Sequence, residues 1–494
     1  MKILFIQPSS GFLMRGTTYP VCRSIMVTSS YMKSLGYNVL VYDRCIDFRK
    51  AEKVIDSFKP DYVLVYVTPT TSVQDAIHVS GLSKKTGAIV VWCEVVASAL
   101  AEQIIESKHA DFVITGETEE KFRLLVEKYE SGEFESIPGL CYVKNGEIIN
   151  NPNANNADLE NLPQIDWNLI DVKKCFRQFP HCKRMLYLYT SRGCPFNCAF
   201  CYNTMFYLSQ RRKRPISFVL NEIKYLEENF KLDGVNFSDE LLFLTDEEIY
   251  EIKKFRDENN LKFFWGGQTR ANLYLNINTL KNMYDAGCRW LLLGIETGSE
   301  TTRKQINKQM NQDEIREFVD MCTEVGITTF GSFIIGFPDE TPETMKETAE
   351  YALSLNVDAF LFSFYVAIPK TPVCNKMIAD GKFEIGNVSD QVSASRQIQD
   401  LTRNYSCIPQ KDLLVVRSFF DWITFTRRKK ESQQKGMFIR KALDSLKHFS
   451  EGGIINTFKN IYYAVKTFVS IVFYAHAYPS IRKKYGLYNI NRKK

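Results

Sequence analysis

The sequence predicts an α/β protein in three parts: a doubly wound, Rossmann-like sheet, then a partial barrel of βα units, then a helical extension. Three observations carry that prediction. Short apolar runs closed by turns alternate with helix-length segments, first over residues 1 to about 130 and again from about 184 to 370. An Asn/Pro-rich stretch separates the two series. Beyond about residue 375 the alternation gives way to helical spacing and a basic composition. At 494 residues the chain is also too long for one core, in keeping with two or three domains.

In the first series "KILFIQP", "YNVLVYD", "PDYVLVYV", "AIVVWCE" and "ADFVITGE" read as buried parallel strands. "CRSIMVTSSYMKSLG" and "SVQDAIHVSGLSKKTG" read as the helices between them, each ending in the Gly that helix C-termini favour. Such a domain, assigned to residues 1–135, binds ligands at the carboxyl ends of its strands. No G-x-G-x-x-G follows the first strand, which disfavours a nicotinamide site. Residues 136–183 read as a linker that includes a hairpin about Asn145-Gly146.

The second series, residues 184–375, places strands at "MLYLYTS", "GVNFSD", "KFFWGGQTR", "WLLLGIET", "TTFGSFIIGF" and "AFLFSFYVA". Helices fit at 217–230, 313–325 and 342–355, the last with Thr341 as N-cap and Pro342 in the first turn. Six βα units suit a partial or full barrel, whose active site lies at the carboxyl ends of the strands.

Residues 376–494 form the extension. Phe458, Ile461, Tyr462, Val465, Phe468, Val469, Val472 and Phe473 follow helical spacing. Lys459 and Lys466 interrupt the run, and the uncharged piece 467–477 is too short to span a bilayer. From Lys411 onward there are 18 Lys and Arg against 5 Asp and Glu, so the basic excess belongs to this segment and not to the body. Aromatic helices with "RRKK" (427–430) and "IRKK" (481–484) suit either a cap on the barrel or peripheral contact with anionic lipid. No RNA-binding module accompanies them, so nucleic acid is not an expected partner. The N-terminal "MKILFIQPSSGF" has no signal-peptide pattern, and the expected compartment is the cytoplasm, where thiols stay reduced.

Ten of the 13 cysteines are scattered singly and read as small buried hydrophobes. The other three, Cys194, Cys198 and Cys201, fall within eight residues of "TSRGCPFNCAFCYN", just after the first barrel strand. Gly193, Pro195 and Asn197 mark that stretch as loop, not core. Three thiolates alone do not complete a structural zinc site. They can hold three irons of a 4Fe–4S cluster and leave the fourth iron open, which is a catalytic position.

C-x3-C-x-Φ-C, with Phe200 as Φ, resembles the signature of the radical S-adenosylmethionine (SAM) enzymes. The resemblance implies that Asp239 and Glu240 of "FSDELLF" receive the methionine amino group and that Arg270 of "QTR" steadies its carboxylate or the ribose. It implies Glu296 of "GIETGS" at the ribose hydroxyls, and Gly336, Phe337 and Pro338 of "SFIIGFPDET" at the adenine. The domain order, with "PGLCYVKNGEIINNP", "LENLPQIDW" and "ADFVITGETEEKFRLLVE", is similar to the cobalamin-binding subgroup, which holds methyltransferases and the anaerobic magnesium-protoporphyrin ester cyclase. The resemblance covers roughly residues 1–375. For that subgroup it implies a 4Fe–4S cluster, SAM, and cobalamin held by Pro8, Ser9, Thr68, Thr70, Ser72, Gly116 and Glu117. It further implies an external electron donor of the flavodoxin or ferredoxin type, and methylation of an unactivated carbon on a small or lipid-like substrate. Cyclisation without methyl transfer and a catalytically degenerate scaffold are the alternatives; the intact cysteines and Arg270 argue against the scaffold.

Two departures stand out. No D-x-H-x-x-G is present, so no histidine from that motif ligates cobalt. "WCEVVASA" lacks the Gly-Gly-x-His common in the fourth-strand loop. The methylthiotransferase branch shares the domain order, but Cys22, Cys45 and Cys93 do not form its second cysteine loop and no small RNA-binding barrel follows.

Overall fold

Two seven-stranded sheets organise the chain, whose computed structural model describes residues 1–9, 23–69, 73–154, 157–388, 404–426 and 468–487. The first sheet contains β1 (Lys2–Gln7), β2 (Asn38–Asp43), β3 (Tyr62–Tyr66), β4 (Ile89–Cys93), β5 (Phe112–Ile114), β6 (Leu140–Lys144) and β7 (Glu147–Asn150). Its order is β2-β1-β3-β4-β5-β6-β7, parallel through β5 and antiparallel beyond. The five predicted strands are all there, and their continuous apolar runs follow from burial on both faces. The order reverses between β1 and β3, which opens a crevice at the carboxyl ends of those two strands.

The hairpin about Asn145-Gly146 lies inside this sheet, as its β6–β7 edge, and not in a linker. Phe112 of β5 and Tyr142 of β6 both pack on Phe134, at ring separations of 5.1 and 5.3 Å. The connector after the hairpin is packed as well: Ile165, Trp167, Val172 and Cys175 belong to the same buried core as Phe5 of the first sheet and Leu186 of the second. Trp167 donates its indole N–H to Glu222 at 3.0 Å.

The second sheet contains β8 (Arg177–Phe179), β9 (Cys182–Leu188), β12 (Gly234–Phe237), β13 (Phe264–Thr269), β14 (Cys288–Glu296), β15 (Thr328–Ile335) and β16 (Ala359–Phe364). β9 and β12 to β16 pair in chain order and in parallel, the six strands of a partial barrel, with β8 antiparallel at one edge. The helices between them include Ile216–Phe230, Gln312–Val325 and Pro342–Ser354. The last is capped by Thr341, whose side chain accepts from the Thr344 N–H, with Pro342 in the first turn.

At the opposite edge, β16 is covered by the helix Gln410–Thr426. Phe420 stacks on Phe362 at 4.0 Å, and the Thr424 hydroxyl accepts from Phe360 N at 2.9 Å and donates to Phe360 O at 3.3 Å. A side chain thus substitutes for the missing strand neighbour of an exposed edge. This part of the extension is therefore a cap on the barrel. "RRKK" (427–430) and the positions from Phe458 to Val465 lie outside the described residues, whereas "IRKK" sits in the short helix Pro479–Lys484. Among the described residues no helix is long and apolar enough to cross a membrane.

The two sheets meet at their carboxyl edges through buried charge. β10 (Ser191–Arg192) and β11 (Arg212–Lys213) form a two-stranded ribbon that pairs Arg192 with Arg212. Both guanidiniums bind Glu117, from the loop after β5: Arg192 at 3.1 Å and Arg212 at 2.9 and 2.8 Å. Arg192 also donates to Glu119 at 2.9 Å. The side chains of Arg192 and Glu117 are each 3% exposed.

Two outcomes follow from this packing. Glu117→Ala leaves the buried Arg192 and the half-buried Arg212 guanidiniums facing each other, and should destabilise the protein by about 3–5 kcal/mol, read as a fall in the thermal unfolding midpoint. Phe420→Ala should cost about 3–5 kcal/mol by the same measurement, whereas Leu361→Ala, at an exposed position on β16, should leave the midpoint close to wild type.

Candidate active site

The cysteine loop begins where β10 ends, at the carboxyl end of the barrel. Gly193 has φ 77°, and a Cβ there would lie 1.9 Å from the carbonyl oxygen of Gln210, so no other residue fits the turn. Asn203 shapes the loop from within. Its side chain accepts from Cys194 N at 2.9 Å and donates to Cys194 O at 2.7 Å and Phe196 O at 3.2 Å. From outside, Ala199 N donates to Ile306 O at 2.8 Å, and Val373 N donates to Ala199 O at 3.0 Å.

The three thiols lie in one another's field. Burial pushes Cys201 up to about 12, Cys198 and Cys194 add to the rise, and Lys308 opposes it. Burial also raises Cys194, with Arg270 and Lys308 pulling the other way. Arg270 follows β13, stacks its guanidinium on Phe196 at 3.7 Å and places Nη1 3.9 Å from Cys198 Sγ. Among the described residues no three His, Cys, Asp or Glu converge tightly enough for a single metal ion. Thiols spread around a loop beside a cation instead suit a cluster, in which each iron takes its own thiolate.

Glu296 ends β14 at φ 67°, where the register with β15 shifts between Gly294 and Glu296. The irregularity turns its side chain into the site, where Lys308 Nζ donates to Oε1 at 3.0 Å. Phe337, after β15, packs edge-on to Phe200 of the cysteine loop at 5.7 Å and meets Tyr365 at 5.2 Å. Gly336 N donates to Glu340 at 2.5 Å. Burial pushes the Glu340 carboxyl up to about 8 against the pull of the Gly336 and Phe337 amides.

The acidic pair after β12 lies against the strand and turn that lead into the cysteine loop. Asp239 is buried and accepts from Thr190 N, Thr190 Oγ1 and Ser191 Oγ at 2.8, 2.5 and 2.6 Å. Glu240 accepts from Gly193 N at 2.8 Å and forms an ion pair with Arg23. Both carboxylates therefore brace the strand and turn that carry the cysteines. The cause is local: buried N–H and O–H donors at a strand end need acceptors, and these two acids are adjacent.

The first domain's predicted residues divide in the same way. Pro8, Ser9 and Thr68 follow β1 and β3 at the crevice; Thr70 and Ser72 lie outside the described residues. Ser9 N donates to Asp75 at 2.7 Å. Gly116 donates its N–H to Ser98 at 3.0 Å, and a Cβ on it would lie 2.7 Å from Asn153. Glu117 lies in the domain joint, paired with Arg192 and Arg212.

Sequence reasoning missed Arg23, Asn203, Lys308 and Glu340. Only Asn203 carried a signal, as a polar loop residue directly behind the cysteines; Arg23 and Lys308 depend on contacts that the fold makes, and Glu340, four residues from its partner Gly336, reads in sequence as an ordinary loop acid. Arg23 reaches from the first domain's helix Arg23–Ser34 to Ser238 O at 2.5 Å and to the Tyr207 hydroxyl at 2.9 Å.

Residues 188–352 match the family described as the radical SAM superfamily. An uncharacterized methyltransferase of Pyrococcus horikoshii is 28% identical over 393 residues, covering 77% of this chain and 84% of that protein. The anaerobic magnesium-protoporphyrin IX monomethyl ester cyclase of Rubrivivax gelatinosus is 25% identical over 388 residues, covering 75% of this chain and 68% of the cyclase. Among solved structures, the radical S-adenosylmethionine methyltransferase TsrM from Kitasatospora setae, with cobalamin and a 4Fe–4S cluster bound, matches with a TM-score of 0.68 at 14% identity, over 96% of this chain and 99% of that one. The cobalamin-dependent S-adenosylmethionine radical enzyme OxsB, with aqua-cobalamin bound, matches with a TM-score of 0.64 at 14% identity, over 97% of this chain and 80% of that one. At these identities the structural likeness is one of fold. The six-stranded partial barrel, the cysteine loop at its carboxyl end and the family match over residues 188–352 together identify that stretch as a radical SAM domain.

Proposed function

We propose that the chain is a cobalamin-dependent radical SAM enzyme that methylates an unactivated carbon of a small or lipid-like molecule. The observation that carries the proposal is the placement of three thiols at the carboxyl edge of the barrel, fixed by Glu117 and Arg192 against the carboxyl edge of a doubly wound sheet. A cluster site and a switch-point crevice then belong to one joined edge. Three of the four named relatives and solved structures support the reading: TsrM, OxsB and the Pyrococcus protein are named as methyltransferases or cobalamin enzymes.

Cys194, Cys198 and Cys201 would hold the cluster, and Arg270, Glu296, Phe200 and the Gly336–Pro338 turn would hold SAM. Pro8, Ser9 and Thr68, with Thr70 and Ser72 beyond the described residues, would face cobalamin across the crevice. When bound, these groups supply an electron, a 5′-deoxyadenosyl radical and a transferable methyl, chemistry no side chain can provide. The chain's own contribution is binding and orientation. Arg270 offers a planar guanidinium suited to a carboxylate, and it is stacked on Phe196 so that little side-chain freedom remains to be lost. Glu296 presents a carboxylate whose position Lys308 fixes, fit to accept from hydroxyls. Phe200 and Phe337 form an apolar wall that keeps water from the reacting centre.

A second reading is cyclisation without methyl transfer, favoured by the match to the Rubrivivax cyclase over 75% of this chain. One experiment separates the two. After anaerobic reconstitution, cobalamin retention together with transfer of deuterium-labelled methyl from SAM to product is the expected result; 5′-deoxyadenosine formation without labelled methyl would instead support cyclisation. In the same assay Cys194→Ala should lose the brown chromophore and abolish 5′-deoxyadenosine formation. Wild-type turnover by that variant would refute the ligand assignment.

A further inference from the structure

The segment Ile306–Gln309 touches the cysteine loop and the nucleotide-facing residues at every position. Ile306 O accepts from Ala199 N at 2.8 Å. The Asn307 side chain donates to Asn197 O at 3.2 Å and meets Asn197 Oδ1 at 2.9 Å. Gln309 O accepts from Arg270 Nη2. Lys308, between them, is held by its own backbone, with N donating to Arg303 O at 3.0 Å and O accepting from Met310 N at 2.9 Å. Its side chain is 6% exposed and pairs with Glu296 at 3.0 Å. The pair packs on the bare backbone of Gly294, where a Cβ would lie 2.5 Å from Glu296 Oε1 and 3.1 Å from Lys308 Nζ.

We propose that Lys308 is a positioning residue with two linked tasks: it fixes the Glu296 carboxylate, and it places an ammonium group beside the cysteine loop that raises the reduction potential of the bound cluster. The inference rests on the cluster reading above. A cluster on three thiolates accepts one electron from its external donor and becomes more negative, so a nearby buried cation stabilises the reduced form. The cation acts strongly because little water screens it. Arg270 lies at the same loop and adds to the effect, but it is drawn off by Gln309 and Phe196, whereas among the described residues the Lys308 ammonium pairs with no carboxylate but Glu296.

The test is a potentiometric titration of the full-length, anaerobically reconstituted protein, with dithionite as reductant and the reduced cluster followed by EPR. Lys308→Met should carry wild-type iron and shift to lower potential; Lys308→Arg, which keeps the charge, should stay near wild type. Glu296→Gln leaves the ammonium uncompensated and should shift the potential upward. Opposite shifts from the two partners of one ion pair are not expected of a purely structural contact. A Lys308→Met variant with full iron and an unmoved potential would overturn the proposal. If Lys308→Met cannot retain iron, Glu296→Gln decides: an upward shift supports the proposal and an unmoved potential overturns it. A wild-type protein with no EPR signal after reduction would instead sink the cluster reading beneath it.

Discussion

Glu117 resolves a conflict that the ribbon β10–β11 creates. Arg192 and Arg212 are register partners on neighbouring strands, and like charges directly opposite one another repel. A carboxylate from the other domain sits between them, Glu119 takes the remaining side of Arg192, and the ring of Tyr189 lies under three guanidiniums, those of Arg23, Arg192 and Arg214, at 5.6, 5.1 and 4.5 Å. Burying so much charge is expensive, and a well-packed apolar joint could hold the domains as firmly. What the charged joint adds is a fixed register. The ribbon can close only when the first domain's loop after β5 is in place, and the ribbon brackets the cysteine loop.

That dependence spreads inward. Asp239 and Glu240 secure the residues just before the cysteines, Asn203 secures the turn itself, and Ile306 and Val373 secure its far side. The loop is thus held from the strand, from within and from two other barrel segments, each through backbone groups that cannot drift independently. Sites held in this way lose little conformational freedom when they take up a ligand, which is the usual basis of preorganisation.

The strands, the partial barrel, the cysteine loop and Arg270 were legible because each leaves a local mark: an apolar run, a β–α rhythm, a spacing of thiols, an arginine at a strand end. The roles of Asp239 and Glu240 were not, because a carboxylate at a strand end looks the same in sequence whether it faces a ligand or caps buried donors. Only the fold shows that Thr190, Ser191 and Gly193 are their donors. The place of Glu117 in the domain joint was hidden for a similar reason: its partner Arg192 is 75 positions away. The hairpin at Asn145-Gly146 is legible as a hairpin but reads as part of a linker, since turn chemistry fixes a local shape and says nothing about which sheet edge it joins.

Residues that follow three strands of the first domain reach the second domain from its carboxyl edge. Arg23, after β1, binds Ser238 and Glu240; Val95, after β4, packs with Phe206 and Tyr207; Glu117, after β5, holds the ribbon. Glu94, directly before Val95, adopts φ 83° and ψ −175°, a conformation suited to glycine, and is buried there. A side chain is kept in such a conformation only where its surroundings over-determine it. The joint therefore uses the same edge on which a doubly wound domain binds its ligand, and Arg23 links the two directly, because its helix follows the β1 loop while its guanidinium holds the carboxylate that receives Gly193 N. Under the proposed function, the methyl donor and the radical source would be aligned by these contacts before any substrate arrives. A substrate carbon must then be placed between two fixed points, a demand that rigid docking meets and a flexible tether would not.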